Sequence, residues 1–322
     1  MTPAVTAVVV SWNTREHLVR CLDALETAAT GVAVETIVVD NGSTDGSQAM
    51  VAAKFPHVRV IQSADNVGFG RAVNAGAAAG SGRAMLIANS DCELTPGAVT
   101  TLLATLDADV TLGAVFPRLV NPDGTLQPSV HRALPTPWSY AGDIVFASSL
   151  QYALYRMPAL KRVLLRRTLR RHARAHEVAW AGAACVLVRR TAFEMVGGFD
   201  ARFFMYIEDV DLCLRVADAG FRLCYIPEAV AVHHWGAAAA KNPQMLRHAY
   251  ASRIAYFDKH FPRWGGAVSR ALTRLELAVR TAVLGLAAGL TRSRTLDVRA
   301  RATAACRAEF AAARAGAGSG PR

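Results

Sequence analysis

The chain of 322 residues holds only 6 cysteines, Cys21, Cys92, Cys185, Cys213, Cys224 and Cys306, and no two form a C-x-x-C pair. Scattered thiols exclude a paired-cysteine zinc cluster and a secreted disulfide scaffold, and they fit a reducing cytosol. Long apolar runs are missing as well. A membrane-spanning helix needs about 18 such residues, whereas the best stretch, Thr281–Thr291, is an uncharged run of 11 closed by Arg280 and Arg292. Met1–Val10 has no basic segment ahead of its apolar residues, so no secretory signal is expected there. Walker A and H-E-x-x-H sequences are absent. Gly68-Phe69-Gly70 fails as a dinucleotide fingerprint, because Val73 stands where the third glycine belongs and the preceding residues are turn-like.

Core-forming residues are plentiful. With 52% hydrophobic and 19% charged residues the chain is not globally disordered. Its length allows one large or two modest domains. The net charge of +11 is unevenly spread: −5 over residues 1–130, +7 over 131–180, −2 over 181–240 and +11 over 241–322. This asymmetry predicts a catalytic body with basic surfaces turned toward an anionic partner.

The first half alternates apolar strands with helical stretches. Strands are expected at Ala7–Val10, Glu35–Val39, Val58–Ile61 and Met85–Ala88. Helices are expected over Glu16–Thr27, Ser47–Lys54, Arg71–Ala79 and Gly97–Leu106, the last with Thr95 as N-cap and Pro96 in its first turn. Continuous apolar strands between helices predict an α/β fold, a parallel sheet covered on both faces. Ligands in such sheets sit beyond the carboxyl ends of the strands. There the chain carries Ser11-Trp12-Asn13, Asp40-Asn41-Gly42-Ser43 and Asn89-Ser90-Asp91. Each alone is ordinary turn chemistry; three on one sheet edge predict a polar pocket.

Glu208, Asp209 and Asp211 place three carboxylates within four positions, after Phe203, Phe204 and Tyr206 and at the start of a helix expected over Val210–Ala219. Acids complement a helix N-terminus, but mutual repulsion and an apolar approach also raise a carboxylate pKa, which suits a general base. Val230–Val232 reads as a strand running into His233 and His234, whose side chains must point to opposite faces. A cation held by Asp91 and one of these histidines would have mixed O and N ligands, which suits Mn²⁺, or Mg²⁺ completed by phosphate oxygens.

Seven segments, VVVSWNT (8–14), VVDNGSTDGS (38–47), NVGFGRAVNAG (66–76), IANSDCEL (87–94), WAGAACVLVRR (180–190), GGFDARFFMYIEDVDLC (197–213) and VHHWG (232–236), occur in this order. Together the set resembles family 2 glycosyltransferases of the GT-A fold, and within them the rhamnosyltransferase-like branch, over about residues 5–240. The resemblance implies a Rossmann-like, mostly parallel central sheet with flanking helices, followed here by a C-terminal helical extension. It implies that Asp40 binds the base or ribose of a nucleotide-sugar, with Ser11 and Asn13 in the wall of that pocket and Arg71 and Asn74 completing it. Asp91 matches the last acid of a D-x-D motif that holds Mg²⁺ or Mn²⁺ on the diphosphate, and Asn89 replaces the first. Asp209, next to Glu208, matches the catalytic base. His233 matches a histidine that helps bind metal or diphosphate, with His234 the alternative, and Trp180 and Gly182 match the acceptor-side wall. The implied reaction is an inverting displacement.

The resemblance and the charge pattern together predict a catalytic domain over 1–240 with a basic acceptor-side insertion at 131–178, a basic helical region over 241–312 and a flexible tail over 313–322. Arg156–Arg174 carries eight Lys/Arg with leucines at helical spacing, and Leu275, Leu277, Val279, Val283, Leu284 and Leu286 alternate with Arg270, Arg274 and Arg280. Both segments read as amphipathic helices, either for an anionic membrane surface or with a solvated basic face. The expected partners are a nucleotide-sugar donor and a lipid-linked saccharide or polysaccharide acceptor; the expected place is the cytoplasm, on the inner face of the cell membrane. A UDP-hexose or UDP-N-acetylhexosamine donor and a catalytically silent nucleotide-sugar binder are the alternatives. No recognition motif accompanies the basic residues, so nucleic acid is not an expected partner.

Overall fold

Strands Val5–Ser11 (β1), Val34–Asp40 (β2) and Ala84–Asn89 (β4) are apolar on both faces, and their central residues are buried. Such strands are stable only under cover from both sides, so they nucleate the middle of a sheet. The computed structural model describes residues 2–141, 166, 168–234, 244–291 and 294–316. The chain divides into two units, Met1–Leu134 with Leu164–Lys241, and Pro135–Val163 with Asn242–Arg322.

In the first unit β1 lies between β2 and β4, parallel to both, so that Val8 faces Ile37 on one side and Ile87 on the other. Strand β3 (Arg59–Gln62) adds in parallel outside β2. Beyond β4 the order continues β10 (Cys185–Arg189), β6 (Leu112–Val120), β11 (Arg222–His233) and β5 (Cys92–Leu94). Strand β10 is antiparallel to both β4 and β6, and β11 is parallel to β6. Hence β1, β2, β4, β6 and β11 all point one way, and Ser11, Asp40, Asn89 and His233 end their strands at the same edge. Two short strands, β7 (Val130–His131) and β9 (Trp180–Ala181), form a separate ribbon, and β8 (His176–Glu177) pairs with β11.

Helix α1 (Arg15–Ala28) buries Leu18, Cys21, Leu22, Leu25 and Ala28, a single face at three- and four-residue spacing. Each leucine so buried stabilises the unit by about 1.5–3 kcal/mol. Helices α2 (Ser47–Lys54) and α3 (Phe69–Ala79) follow β2 and β3. Gly76 lets α3 lie close on the sheet, since a Cβ there would stand 2.4 Å from Val8 Cγ1. Helix α4 (Ala98–Ala108) departs from the expected cap. Gly97, at φ 76°, is its N-cap, while Thr95 Oγ1 donates to the Val230 carbonyl at 3.1 Å and so ties the turn to β11. Helix α5 (Arg190–Met195) follows β10, and α6 (Glu208–Asp218) begins two residues earlier than the sequence predicts.

The second unit contains α7 (Met245–His260), α8 (Gly265–Thr291) and α9 (Arg294–Gly316) around Tyr250, Leu277 and Cys306. Glu276 is held inside it by the Tyr140 hydroxyl at 2.7 Å, Arg253 at 3.1 Å and Arg280 at 3.3 Å. Leu277 is buried in this unit, and the half-exposed Arg280 pairs with Glu276. Helix α9 carries through residue 316, into the expected tail. Residues 317–322, Trp235-Gly236 and most of the basic Arg156–Arg174 segment lie outside the described residues. Among the described residues no helix is long and apolar enough to cross a membrane.

Candidate active site

A cavity of about 470 Å³ opens at the carboxyl edge of the sheet. Its wall collects residues from these strand ends: Val10 in β1 and Trp12 after it, Asn41 after β2, Asn89 closing β4 with Ser90 and Asp91 after it, and His233 from β11. The opposite strand direction of β10 brings the segment before it, Gly182–Ala184, to the same place, and the first turn of α6 adds Glu208 and Asp209. Buried hydroxyls lock the edge: Thr14 Oγ1 lies 2.7 Å from Ser90 Oγ and 3.1 Å from Ser11 Oγ.

The pairing of β5 with β11 builds the cation-capable corner. His233 stands opposite Cys92, which brings Asp91 beside the histidine, with Asp91 Oδ1 3.4 Å from His233 Nε2 and both residues buried. Strand alternation sends His234 the other way, to Glu93 at 2.8 Å. Cys92 Sγ also lies within 4.8 Å of these ligand atoms. It is a poor third ligand, because burial holds its thiol well above the usual range and it donates to the Ala184 carbonyl at 3.1 Å. A carboxylate oxygen and an imidazole nitrogen, with room in the cavity for phosphate oxygens, fit Mg²⁺ or Mn²⁺. Gln127, from the loop after β6, completes the corner: its Oε1 is 2.9 Å from His233 Nδ1.

Glu208 is buried, with the half-buried Asp209 beside it. Asp209 accepts the Val210 N–H at 2.8 Å on Oδ1 and the Ala183 N–H at 3.3 Å on Oδ2. Burial raises its pKa, against the pull of these two N–H donors. Glu208 is raised further, by burial and then by the Asp209 charge, and its Oε2 is buried without a hydrogen-bond partner among the described residues. Burial and mutual repulsion thus both act against the pair carrying two charges. The third acid of the cluster is not part of this: Asp211 is fully buried against Arg215 at 2.7 Å.

The structure brings Asn89, Asp91, Gly182, Glu208, Asp209 and His233 to one cavity. Other residues implied by the resemblance stand differently. Asp40 is buried beside that wall; its Oδ2 accepts the Ser43 N–H at 3.0 Å, and Oδ1 has no partner among the described residues. Ser11 belongs to the hydroxyl lock, and Asn13 joins the turn after β2 by accepting the Thr44 N–H at 2.8 Å. Arg71 donates to the Ala201 carbonyl at 3.0 and 3.1 Å, and Asn74 clips Phe199 through its N–H at 2.9 Å and its carbonyl at 2.8 Å. Those two side chains hold the 199–201 loop and do not line the cavity. Trp180 stacks on His131 at 3.8 Å, outside the lining. Sequence reasoning missed Gln127, which lies in no motif, and Asn66, whose Oδ1 accepts from the Asn41 amide at 3.1 Å.

A parallel-edge pocket holding a cation-capable Asp–His pair and an acid pair is the framework of a sugar-nucleotide transferase. The profile of Glycosyl transferase family 2 matches residues 6–197, and that of Glycosyl transferase family group 2 matches residues 163–304. The chain belongs to glycosyl transferase family 2 and is a glycosyltransferase. It is 32% identical over 308 residues, 91% of this chain and 96% of the relative, to the N-acetylglucosaminyl-diphospho-decaprenol L-rhamnosyltransferase of Mycobacterium tuberculosis. A shorter likeness, 49% over 57 residues, links it to the rhamnosyltransferase WbbL of Escherichia coli, covering 18% of this chain and 22% of that one. The mannosyltransferase PcManGT of Pyrobaculum calidifontis, solved with GDP-Man and Mn²⁺, shares the fold at TM-score 0.53 and 17% identity, over 97% of this chain and 87% of its own. The GT-A architecture expected from the sequence is thereby shown.

Proposed function

We propose that the enzyme is an inverting glycosyltransferase that moves rhamnose from dTDP-rhamnose to a hydroxyl of a lipid-linked saccharide in cell-surface glycan synthesis. The observation that carries the mechanism is Asp209, a half-buried carboxylate sharing one cavity with the Asp91–His233 corner. The rhamnosyl donor and lipid-linked acceptor rest on the full-length likeness to the mycobacterial enzyme. The acceptor oxygen attacks the anomeric carbon from the face opposite the diphosphate. Its proton goes to Asp209, and the broken C–O bond leaves its electron pair on the nucleoside diphosphate. A divalent cation held by Asp91 and His233 would offset the negative charge gathering there. The partnerless Asp40 Oδ1 suits an N–H of the base, and the partnerless Glu208 Oε2 suits a sugar hydroxyl.

The test is nucleoside diphosphate release from a panel of dTDP-, UDP- and GDP-sugars with Mg²⁺ or Mn²⁺, with and without membrane extract. Release from dTDP-rhamnose that requires the extract is the expected result. Release from a UDP-hexose or UDP-N-acetylhexosamine alone would keep the mechanism and discard the sugar. Binding without turnover of any donor would replace the enzyme reading with a silent binder.

The raised pKa of Asp209 has a sign. Only the deprotonated form accepts a proton, so kcat/KM should fall as pH drops through a value above the 3.8 of an ordinary aspartate. A pH–rate profile whose acid limb sits at or below about 4 would remove Asp209 as the base.

The anionic surface is assigned to the second unit. Along α8, Leu275, Val279, Val283, Leu286 and Leu290 are exposed, the last two by 67% and 78%. At 3.6 residues per turn they share one side, and Arg270 and Arg274 lie on the opposite one. Trp138, 73% exposed, lies 6.2 Å from Trp264. An exposed apolar stripe on a unit of this positive charge suits an anionic lipid interface. Flotation with phosphatidylglycerol vesicles is expected to fall about tenfold in a Leu286→Glu, Leu290→Glu variant; equal flotation would reject this surface.

A further inference from the structure

We propose that Gln127 is a positioning residue: it holds His233 in the Nδ1–H tautomer, so that Nε2 offers a bare lone pair beside Asp91. The inference rests on the reading of Asp91 and His233 as cation ligands.

The hydrogen bonds leave little freedom, and their direction follows from groups that can only accept. Asp123 accepts the Thr125 hydroxyl at 2.6 Å, which spends the threonine proton. Thr125 Oγ1 must then accept from the Asn121 amide nitrogen, 2.8 Å away. That orients Asn121 with its oxygen toward Gln127, whose nitrogen donates to it at 2.7 Å. The same nitrogen donates to the His233 carbonyl at 2.6 Å, and a carbonyl cannot donate. Both amide hydrogens of Gln127 are now used, and its oxygen, 2.9 Å from His233 Nδ1, can only accept. Nδ1 therefore carries the proton. The remaining ring nitrogen faces Asp91 Oδ1 at 3.4 Å. Two acceptors at that distance repel unless something positive stands between them, which is the condition for a cation site.

The chain begins at an exposed turn and ends at a buried corner. Asn121, Asp123, Thr125 and Gln127 all come from the one hairpin that follows β6, closed by the Asn121 N–H to Thr125 carbonyl bond at 2.7 Å and the Gln127 N–H to Leu119 carbonyl bond at 2.9 Å. A stretch without a recognisable motif thus sets the tautomer of a residue more than a hundred positions away in the chain.

Two measurements on the full chain test this. In ¹⁵N-histidine-labelled wild-type protein without metal, two-bond ¹H–¹⁵N spectra should show His233 with a protonated Nδ1 and a bare Nε2 when neutral. Mn²⁺ binding, followed by the free-ion paramagnetic resonance signal, should weaken about 10–100-fold in Gln127→Leu. A neutral His233 carrying its proton on Nε2 overturns the proposal, and this needs no variant. Mn²⁺ affinity unchanged in a folded Gln127→Leu protein overturns it too. A wild-type protein that binds no Mn²⁺ removes the cation reading itself, and the proposal with it, a result distinct from the other two.

Discussion

Asp209→Asn is expected to lower kcat by about 10³-fold while leaving the fold and donor binding in place. Asparagine has the same shape, and its carbonyl oxygen can still accept the Val210 N–H that Oδ1 accepts at 2.8 Å. What disappears is the carboxylate placed to take the proton, beside a Glu208 whose pKa is raised by burial and by its neighbour's charge. Removing the charge relieves a desolvation cost but takes the acceptor from the Ala183 N–H, so the melting temperature should change little. Transfer rates with saturating donor and acceptor, alongside a thermal melt, separate the two effects. Retention of more than about a tenth of the activity would show that another group takes the proton, since a positioned base contributes at least about 10²-fold.

Gly68→Ala should be the most damaging single methyl. Gly68 sits at φ +90°, where an L-residue is strained, and its Cβ would stand 2.4 Å from the Phe204 carbonyl oxygen. That oxygen accepts the Phe69 N–H at 3.0 Å, so the clash falls on the contact that docks the 199–207 loop onto α3. Strain and displaced backbone together should cost about 3 kcal/mol, or roughly 6–12 °C in melting temperature for a unit of this size. The loop leads directly into Glu208 through Tyr206 and Ile207, both at φ 67°, so its displacement should also misplace Asp209. A variant with unchanged melting temperature and activity would mean that the loop is held elsewhere. The Asn74 clip on Phe199 and the Arg71 contact with Ala201 are the alternatives.

These two positions show what was legible before any coordinates. The parallel strands could be read from their apolar runs, since only a doubly covered sheet buries VVV or MLIA on both faces. The polar residues ending those strands pointed to a site because a parallel sheet brings like ends to one edge. Helix caps read less well. Thr95 has the composition of an N-cap, yet its hydroxyl is taken by the Val230 carbonyl, a partner 135 residues away. Arg71 and Asn74 lie in a matching motif but spend their side chains on a loop backbone, a choice no local pattern reveals. Amphipathicity alone did not say which leucines of α8 pack inward; Leu277 does, against Tyr250 and Cys306.

The amino-acid sequence by itself determined the α/β architecture, the glycosyltransferase class and the identities of the acids and the histidine pair, because these depend on residue type, spacing and short-range order. Tertiary structure alone decided which of them meet. His233 faces Asp91 because β5 pairs antiparallel with β11. Asp209 reaches Ala183 because β10 runs against its neighbours. Gln127 governs His233 through a hairpin that no motif marks. Each of these depends on strand register and hydrogen-bond direction across distant segments, which residue spacing along one chain does not encode.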